Sequence, residues 1–350
     1  MRWRIRGTPN ESGVRRITRE RENRVVMTLP VSTGEVLVSA NNTIGNFNTN
    51  FKTTTGYAQA TFWDASQQVF GVGNPAVTFA VTKSLVGSPA GKKPTRVVSS
   101  NAIGGKGGAI LNIQTFANTT ELDLRAIASP LDLVHVVSVN TNVLFPEDPL
   151  TITNLLLTDC QWERLDAIRY ENLTASNTTA REIDCGCQPA VNSISITANA
   201  LATTITVNGV VFTANSTLQI SSNAALTTVF MKSSNVRYLE ITANPLLTSL
   251  DLGELANAYR INLAGNNLTS VSLKDTRPTD GKSGSTAVTP ALDLRLNQLS
   301  ATALDEIFTD LGNAGGSPIG IPIIHVATNP GAATCTPSIA TAKGYVVLTT

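Results

Sequence analysis

The sequence predicts a mainly β protein, in which a small N-terminal β domain is followed by a solenoid of stacked repeats with a helix-bearing C-terminal cap. Three observations support this fold class. Only 15% of the 350 residues are charged and 5% are aromatic, whereas Thr and Asn supply about one residue in five. Short apolar runs of strand length alternate with turn residues. From about residue 110 a segment of the pattern apolar-x-apolar-x-x-Asn recurs along the chain.

The composition also argues against several classes of protein. A charged fraction of 15% and a formal net charge of +1 do not suit a coiled coil, a disordered tail or a protein that coats nucleic acid. The sequence contains no run of 18 or more apolar residues, so no membrane-spanning helix is predicted. Two histidines in the whole chain leave little material for acid–base catalysis.

Residues 1–26 form a basic leader that is rich in arginine and has no continuous apolar segment. A secretory signal peptide requires such a segment, so the sequence does not predict one. We expect a flexible, solvated leader. An alternative interpretation is a basic arm that docks on an acidic partner or on nucleic acid.

Residues 27–110 predict a small β domain built from short strands. The segments 36–38, 57–63 and 77–81 alternate or run apolar over strand lengths. Turn-forming Asn, Gly, Pro and Ser separate them. A glycine-rich stretch at 104–108 then leads into the second part of the chain.

Residues 111–350 contain the repeats. The first four well-formed units start 21 to 24 residues apart. The six best units are Ile194 and Ile196 with Asn199, Leu218 and Ile220 with Asn223, Leu239 and Ile241 with Asn244, Ile261 and Leu263 with Asn266, Leu292 and Leu294 with Asn297, and Ile324 and Val326 with Asn329. Degenerate copies precede them at 122–124, at 137–139 with Asn142, and at 155–157 with Cys160.

The pattern predicts a parallel stack of short strands with a structural ladder of side chains at the bend. In an apolar-x-apolar strand the two outer residues point into the core. An asparagine at the bend can bond to backbone groups that would otherwise be buried without partners. The ladder is predicted to comprise Cys160, Asn199, Asn223, Asn244, Asn266, Asn297 and Asn329. Replacing Asn266 by Ala is expected to destabilise the stack by about 1–3 kcal/mol.

These segments resemble leucine-rich repeats of the bacterial and phage type, in which Asn-x-Leu-Thr-Ser-Leu-x-Leu is a typical run. The chain has Asn-Leu-Thr-Ser-Val-Ser-Leu at 267–273 and Leu-Leu-Thr-Ser-Leu-Asp-Leu at 246–252. The resemblance is strong over 190–300 and weaker over 118–190. It implies a leucine-rich-repeat-like solenoid over 111–350, in which Cys160 occupies an asparagine position as a buried turn residue.

The chain departs from the repeat from about residue 300, and this part predicts the cap. Thr302 and Asp305 suit a capping box, and Gly312 suits a helix stop. Between them, apolar residues recur on one helical face. Those residues are Leu304, Ile307, Phe308 and Leu311. A strand at 321–326, a short helix at 337–343 ended by Gly344, and an edge strand at 345–348 are predicted to follow.

The sequence predicts no catalytic residue, metal site or cofactor. Cys185 and Cys187 are too close for the usual spacing of zinc ligands, and the Gly-Lys dipeptides lack the rest of a phosphate loop. Neither His135 nor His325 lies near a nucleophile motif. We therefore expect a protein that is not an enzyme. A carbohydrate-active enzyme on a β scaffold is an alternative class.

The outward position of each repeat strand supplies candidate binding residues. The strip consists of Ser195, Gln219, Glu240, Asn262, Asp293 and His325, all of them polar. Solvent-facing positions are polar in most proteins, which is one interpretation of the strip. The other is a recognition surface for a glycan or a protein, since solenoids bind on such faces. Replacing the outward Asp293 by Ala is expected to leave stability nearly unchanged.

The resemblance and the composition together suggest a non-enzymatic phage structural protein that displays its solenoid for virion assembly or host-surface attachment. The role of a tail fibre and that of a head decoration protein both fit. We expect folding in the host cytoplasm, homo-oligomer formation, contact with other virion proteins through the N-terminal region, and contact with a host glycan or protein. The alternative is a bacterial cell-surface adhesin with leucine-rich repeats.

Overall fold

The computed structural model describes residues 35–350 apart from gaps at 41–45, 54–56, 63, 65, 72–77, 85–92, 100–109, 116–120, 126, 128–130, 146–149, 163–167, 186–189, 232–235, 254, 256–257, 280–289 and 315–320. The predicted leader and the glycine-rich stretch at 104–108 lie outside the described residues, as does Cys187.

Strands dominate the described part of the chain. In chain order the elements are β1 Glu35–Ala40, β2 Asn46–Thr53, β3 Tyr57–Thr61, β4 Gln67–Gly71, β5 Thr78–Ser84, β6 Lys93–Ser99, β7 Ile110–Thr115, β8 Glu121–Asp123, β9 Leu131–Leu144, β10 Leu150–Trp162, β11 Ile168–Ser176, β12 Glu182–Asp184, β13 Val191–Thr197, β14 Thr204–Thr206, β15 Phe212–Ser221, β16 Thr228–Phe230, β17 Tyr238–Thr242, β18 Ser249–Asp251, β19 Arg260–Asn262, β20 Ser270–Ser272, β21 Leu292–Asp293, α1 Ala301–Asp310, β22 Ile323–His325, α2 Pro337–Thr341 and β23 Val346–Leu348. No helix in these ranges combines the length and the apolar character needed to cross a membrane.

The main sheet is a parallel stack, which confirms the prediction of a solenoid. Strands β9, β10, β11, β13, β15, β17, β19, β21, β22 and β23 pair in that order, each parallel to the next. The chain makes about nine turns in this way. The first inward positions form one buried row that runs through the stack. That row consists of Val134, Leu155, Leu173, Ile194, Leu218, Leu239, Ile261, Leu292 and Ile324.

Shorter strands form the opposite side of the turns. β12, β14 and β16 make one parallel sheet, and β18 and β20 make another. The runs at 246–252 and 267–273, which carry the resemblance to leucine-rich repeats, reach this side, where Leu250 in β18 pairs with Val271 in β20. A row of threonines runs beside these strands. The Thr203 hydroxyl donates to the Arg181 carbonyl at 3.2 Å, and the Thr227 hydroxyl donates to the Thr203 carbonyl at 3.2 Å.

A residue in the left-handed backbone region marks the bend in eight successive main-sheet strands, β10 to β22, and in β10 it lies within the strand at a shift of register. Its φ lies between 51° and 72° at all eight positions. These residues are Asp159, Asn177, Ala198, Ser222, Ala243, Gly265, Leu296 and Thr328. Each directly precedes a ladder position, so the left-handed step turns the next side chain into the core. Alanine, leucine and threonine are uncommon in this conformation, and sequence reasoning did not find it.

Two of the degenerate copies are placed differently from the prediction. The pairing of β9 with β10 aligns Val134 with Leu155 and Val136 with Leu157, so the interpretation of 137–139 as a repeat strand was wrong by three residues. β9 continues without a break for 14 residues, which hides its register from a pattern based on short strands. Leu122 pairs with Val143 in the second half of β9, outside the main inward row.

The antiparallel N-terminal strands join the solenoid by hydrogen bonding. The strands predicted at 36–38, 57–63 and 77–81 coincide with β1, β3 and β5. β7 pairs antiparallel with β2 and parallel with β9, while β8 pairs antiparallel with β1 and parallel with β9. The first strand of the main stack is therefore covered along both of its halves, which removes an exposed sheet edge.

The helix predicted after residue 300 is present, but its ends differ from the prediction. Leu304, Ile307 and Phe308 are its buried face. Ser300 is the N-cap, and its hydroxyl accepts from the Ala303 N–H at 3.2 Å; Thr302 lies inside the helix, so the assigned capping box was wrong. The spacing of Thr302 and Asp305 matches a capping box, but the helix starts two residues earlier, where Ser300 caps it without an acidic residue three positions later.

The Asp305 carboxylate is not part of a capping box, and Gly312 is not the helix stop, as had been predicted. Asp305 accepts from the N–H and the hydroxyl of Thr336 at 2.6 and 2.9 Å, which ties α1 to the start of α2. α1 ends at Asp310 with Leu311 as its C-cap, and no left-handed glycine is used. The Lys343 ammonium instead donates to the carbonyls of Thr309 and Leu311, each at 2.5 Å. A cation at this end also suits the helix dipole.

Candidate binding face of the solenoid

The six predicted binding residues lie in one straight row on the outward side of the main sheet. The register is unbroken: Ser195 pairs with Gln219, Gln219 with Glu240, Glu240 with Asn262, Asn262 with Asp293, and Asp293 with His325. We call this the central row, and it extends upstream from Ser195 through Thr174 and Leu156 to His135. The common register follows from the alternation of side chains in strands, which the repeat pattern already indicated.

Two further rows flank the central row, and sequence reasoning did not include them. The upstream row lies two residues earlier on each strand and consists of Asn154, Asn172, Ser193, Thr217, Tyr238 and Arg260. The downstream row lies two residues later and consists of Thr158, Ser176, Thr197, Ser221 and Thr242. The period of two would have located both rows, had the strands been extended beyond their apolar pairs.

Hydrogen bonds between turns hold the polar side chains of these rows in place. The Asn172 amide donates to Asn154 Oδ1 at 3.0 Å, and the Ser193 hydroxyl donates to Asn172 Oδ1 at 2.8 Å. In the central row the Ser195 hydroxyl donates to Gln219 Oε1 at 3.0 Å. A set of donors and acceptors that is already ordered loses less conformational entropy when a ligand binds.

Asp293 differs from the other members of the central row because it does not face solvent, and its burial argues against the expectation that its removal leaves stability unchanged. Its side chain is only 3% exposed and forms a bidentate ion pair with Arg295, with Nε to Oδ1 at 3.0 Å and Nη2 to Oδ2 at 2.6 Å. The backbone N–H of Arg295 donates to the same carboxylate at 3.1 Å. The hydrogen bonds that the Arg295 guanidinium donates to the Asp293 carboxylate raise the pKa of Arg295. Asp293 therefore stabilises the turn after β21.

His325 lies next to this ion pair at the C-terminal end of the central row. Partial burial is the main factor that lowers the pKa of His325, and the positive charge of Arg295 lowers it further, while Asp293 acts in the opposite direction. Burial also lowers the pKa of His135 in β9. Both imidazoles are therefore mainly neutral at pH 7.

The predicted asparagines form a continuous hydrogen-bonded ladder inside the bend. Asn199 N–H donates to Asn223 Oδ1 at 3.0 Å, Asn223 N–H to Asn244 Oδ1 at 3.0 Å, and Asn244 N–H to Asn266 Oδ1 at 2.9 Å. Each amide group also donates to a strand carbonyl of the preceding turn, for example Asn266 Nδ2 to the Ile241 carbonyl at 2.6 Å. All four asparagines are buried, so these bonds satisfy groups that water does not reach.

The ladder shifts register at its C-terminal end. Asn297 Oδ1 accepts from Leu268 N–H at 3.2 Å, and Asn329 Oδ1 accepts from Leu299 N–H at 3.1 Å. In both cases the donor lies two residues beyond the preceding ladder position. These two bonds span 29 and 30 residues, whereas those between Asn199 and Asn266 span 21 to 24. Because the turns that lead to Asn297 and Asn329 are longer, each of these amide oxygens meets a backbone N–H that lies further along the preceding turn.

At the other end of the row the ladder positions are occupied by Cys160 and Thr178. The Thr178 N–H and hydroxyl both donate to Asn199 Oδ1, at 2.8 and 2.6 Å. Thr178 was not predicted, because the second inward position of its strand is Ala175 and not a large apolar residue. Cys160 is fully buried, and this burial, with the charge of Asp159, raises its pKa to about 12. The thiol is therefore protonated and unreactive in the folded protein.

The described residues hold few groups that could bind a metal ion or perform chemistry. No group of three or more His, Cys, Asp or Glu side chains within them is arranged as a metal site. Cys185 is buried, its pKa is raised to about 12 by desolvation, and its carbonyl accepts from the Tyr170 hydroxyl at 2.7 Å. We find no residue here that could act as an activated nucleophile.

A cluster of two arginines and two tyrosines interrupts the mostly uncharged face at β17 and β19. The Arg237 guanidinium carbon lies 4.7 Å from the ring centroid of Tyr259 and 5.8 Å from that of Tyr238. The two rings meet edge to face, with centroids 5.8 Å apart and an interplanar angle of 77°. Arg260 is the neighbour of Tyr238 in the upstream row. We call these four residues the Arg–Tyr cluster.

Comparisons with protein-family models, with curated proteins and with solved structures find no match to this chain.

Proposed function

We propose that the chain is a non-enzymatic structural protein of a phage particle, and that it displays its solenoid for virion assembly or attachment to a host surface. The observation that carries the proposal is the outward face of the main sheet. Its three rows present short hydroxyl and amide side chains in common register over many turns. Such a surface can bind an extended polar partner at several successive positions.

The leucine-rich-repeat character of the solenoid is part of this proposal. The buried asparagine ladder and the recurrent strand of two inward residues support it. The two C-terminal helices support a cap, because α1 packs beside β20 and α2 beside α1, where the earlier turns have strands. A helix in this place leaves no unpaired strand edge on that side.

We assign assembly contacts to the N-terminal region and ligand contacts to the solenoid. The pairing of β7 and β8 with β9 supports this division, because it connects the N-terminal strands to the solenoid through backbone hydrogen bonds. Force or strain applied at the N-terminal strands would pass directly into the stack. A homo-oligomer in the virion belongs to the same proposal.

Mass spectrometry of purified particles tests the proposal. Peptides of this chain should copurify with capsid and tail proteins through a density gradient, and light scattering of the purified chain should give a multiple of 36.9 kDa. Absence from particles together with a monomeric purified chain would refute the virion role. Recovery of the chain from the outer surface of intact bacteria would support the adhesin alternative instead.

A second experiment tests whether the protein is an enzyme. The purified chain is incubated with host capsule and cell-wall polysaccharides, and released reducing ends are measured over a day. We expect no release above that of a heat-denatured sample. Release of oligosaccharides would overturn the assignment as a non-enzymatic protein and favour a carbohydrate-active enzyme.

A further inference from the structure

We propose that the Arg–Tyr cluster is a binding site for a carboxylate-bearing saccharide. The inference deepens the proposed function, since it names the ligand class of the outward face and rests on that face being a recognition surface. The first observation is that the side chains of the cluster differ from those around it. The rows around the cluster carry mostly short neutral side chains, with Glu240 as an acidic exception, whereas Arg237, Tyr238, Tyr259 and Arg260 place two cations and two rings within two adjacent turns.

The positive charge of the cluster has no carboxylate partner among the described residues. Over the described residues, neither Arg237 nor Arg260 has a carboxylate within ion-pair distance. Arg237 Nη1 donates only to the Ala214 carbonyl, at 3.4 Å. The Nε–H groups of both arginines are shielded from solvent and have no hydrogen-bond partner. A buried donor without a partner is costly, and a carboxylate offers the acceptor geometry that a guanidinium matches best.

The tyrosines hold the cluster in a fixed shape. Contacts of the Arg237 guanidinium with the rings of Tyr259 and Tyr238 restrict where this cation can lie. Backbone hydrogen bonds fix the same two residues, because the Tyr259 N–H donates to the Arg237 carbonyl at 2.8 Å. All four side chains remain partly exposed, so a ligand can reach them.

Glu240 is the acidic residue on the same outward face of β17, two residues beyond Tyr238. Its Oε1 lies 3.4 Å from the hydroxyl of Thr242, so the carboxylate leans along the strand toward the downstream row and away from the cluster. Asn262 follows Arg260 by two residues and uses its Oδ1 to accept from the Ala264 N–H at 3.1 Å. Its Nδ2 has no partner in the described part of the chain and is free to donate to a ligand hydroxyl.

These neighbours favour a saccharide over an acidic polypeptide. A sugar acid offers one carboxylate among many hydroxyl groups, which matches two guanidinium groups beside rows of amides and hydroxyls. Its apolar ring face can lie on an exposed tyrosine ring. Adjacent strands are about 4.8 Å apart, close to the length of one pyranose unit, so successive units of a polymer could follow successive turns.

Isothermal titration calorimetry with the full chain and three probes tests the site. The probes are an oligogalacturonate of about ten units, its methyl ester, and polyglutamate with the same number of carboxylates. We expect the oligogalacturonate to bind, and the methyl ester and polyglutamate to bind at least about 10-fold more weakly, since each loses either the charge or the hydroxyl groups. Binding should weaken as salt is raised.

Variants separate this site from a general attraction to positive charge. R237Q/R260Q should weaken oligogalacturonate binding at least about 10-fold, while R181Q, which removes an exposed cation elsewhere on the chain, should leave it within about twofold. R260K keeps the charge and loses the planar fork, and should weaken binding several-fold with an unchanged melting curve. If R237Q/R260Q does not fold, the binding of oligogalacturonate to R260K tests the site.

Three results would overturn the site: no heat with the oligogalacturonate, equal affinity for its methyl ester, or equal affinity of native protein and R237Q/R260Q. Equal or tighter binding of polyglutamate would make it a site for acidic polypeptides instead. The result is independent of the virion test. Calorimetry on the purified chain can refute the saccharide site, whereas absence of the chain from particles, with a monomeric purified chain, refutes the virion role.

Discussion

Replacement of Asn266 by Ala tests the ladder that holds the solenoid together. Asn266 is 6% exposed, and its Oδ1 accepts from the Asn244 N–H at 2.9 Å and from Asn244 Nδ2 at 3.1 Å. Its Nδ2 donates to the carbonyls of Ile241 and Leu263 at 2.6 and 2.8 Å. The substitution therefore leaves one buried backbone N–H without its acceptor and takes one donor from each of two carbonyls.

The magnitude follows from these lost bonds. An unsatisfied buried donor costs about 1–3 kcal/mol, and each weakened carbonyl adds up to about 1 kcal/mol. We expect Asn266→Ala to lower the free energy of unfolding by about 3 kcal/mol, at the upper end of the range that the sequence suggested. Urea unfolding followed by far-UV circular dichroism measures this change. The midpoint should fall while the slope of the transition is retained.

Asn267→Ala is the matched control, because it makes the same chemical change one residue away. Asn267 is half-buried, and its backbone N–H donates to the Leu247 carbonyl at 3.2 Å, a bond that the substitution keeps. We expect a loss of less than about 0.5 kcal/mol for this variant. Equal losses for the two variants would refute the ladder as the source of stability.

Three further predictions concern other parts of the solenoid. Asp293→Ala should destabilise the protein by about 1–2 kcal/mol in urea unfolding, since it removes a buried acceptor and leaves Arg295 without its partner. The pKa values of His325 and His135 are lowered in the folded state, so the unfolded state binds more protons below about pH 6.5. The free energy of unfolding should therefore fall as the pH falls below about 6.5, and it should keep its full value above that pH. Gly331→Ala should cost at least about 2 kcal/mol, because a Cβ there would lie 2.1 Å from the Ala301 nitrogen, and a lowered melting temperature would report it.

Controls make these three predictions specific. Asp251→Ala removes an exposed carboxylate that accepts from the Gly253 N–H, and it should cost less than Asp293→Ala. His325→Asn should flatten the pH dependence of stability between pH 5 and about 6.5; an unchanged slope would exclude His325 as a contributor. A Gly331→Ala variant that melts like the native protein would show that the start of α1 can move aside.

Much of the architecture was predictable because the repeat is a local signal. Apolar residues two apart define the inward face of a strand, and an asparagine three residues later marks the bend. The same alternation located the central row of the outward face. It misplaced the register of β9, because a 14-residue strand offers several apolar pairs, and only pairing with β10 selects Val134 and Val136.

The candidate site was predictable only in part. Tyr238 and Arg260 lie at a position that the alternation of strand residues indicates, yet the sequence separates them by 22 residues. Arg237 and Tyr259 lie before their strands, where no pattern assigns a direction to a side chain. Their stacking depends on the distance between adjacent turns. Asp293 shows the opposite case: the pattern assigned it an outward position, but its carboxylate is buried and paired with the partly exposed Arg295.

The sequence by itself determined that this chain stacks: the spacing of its apolar pairs requires each turn to bury its strands against the next, and the asparagines provide the bonds at the bend. The tertiary structure decided which outward residues meet. Neighbours on the face come from different turns, so their contacts depend on turn length, on left-handed residues such as Ala243 and Leu296, and on the spacing between strands. Those quantities are properties of the stacked chain, because no single repeat is stable alone.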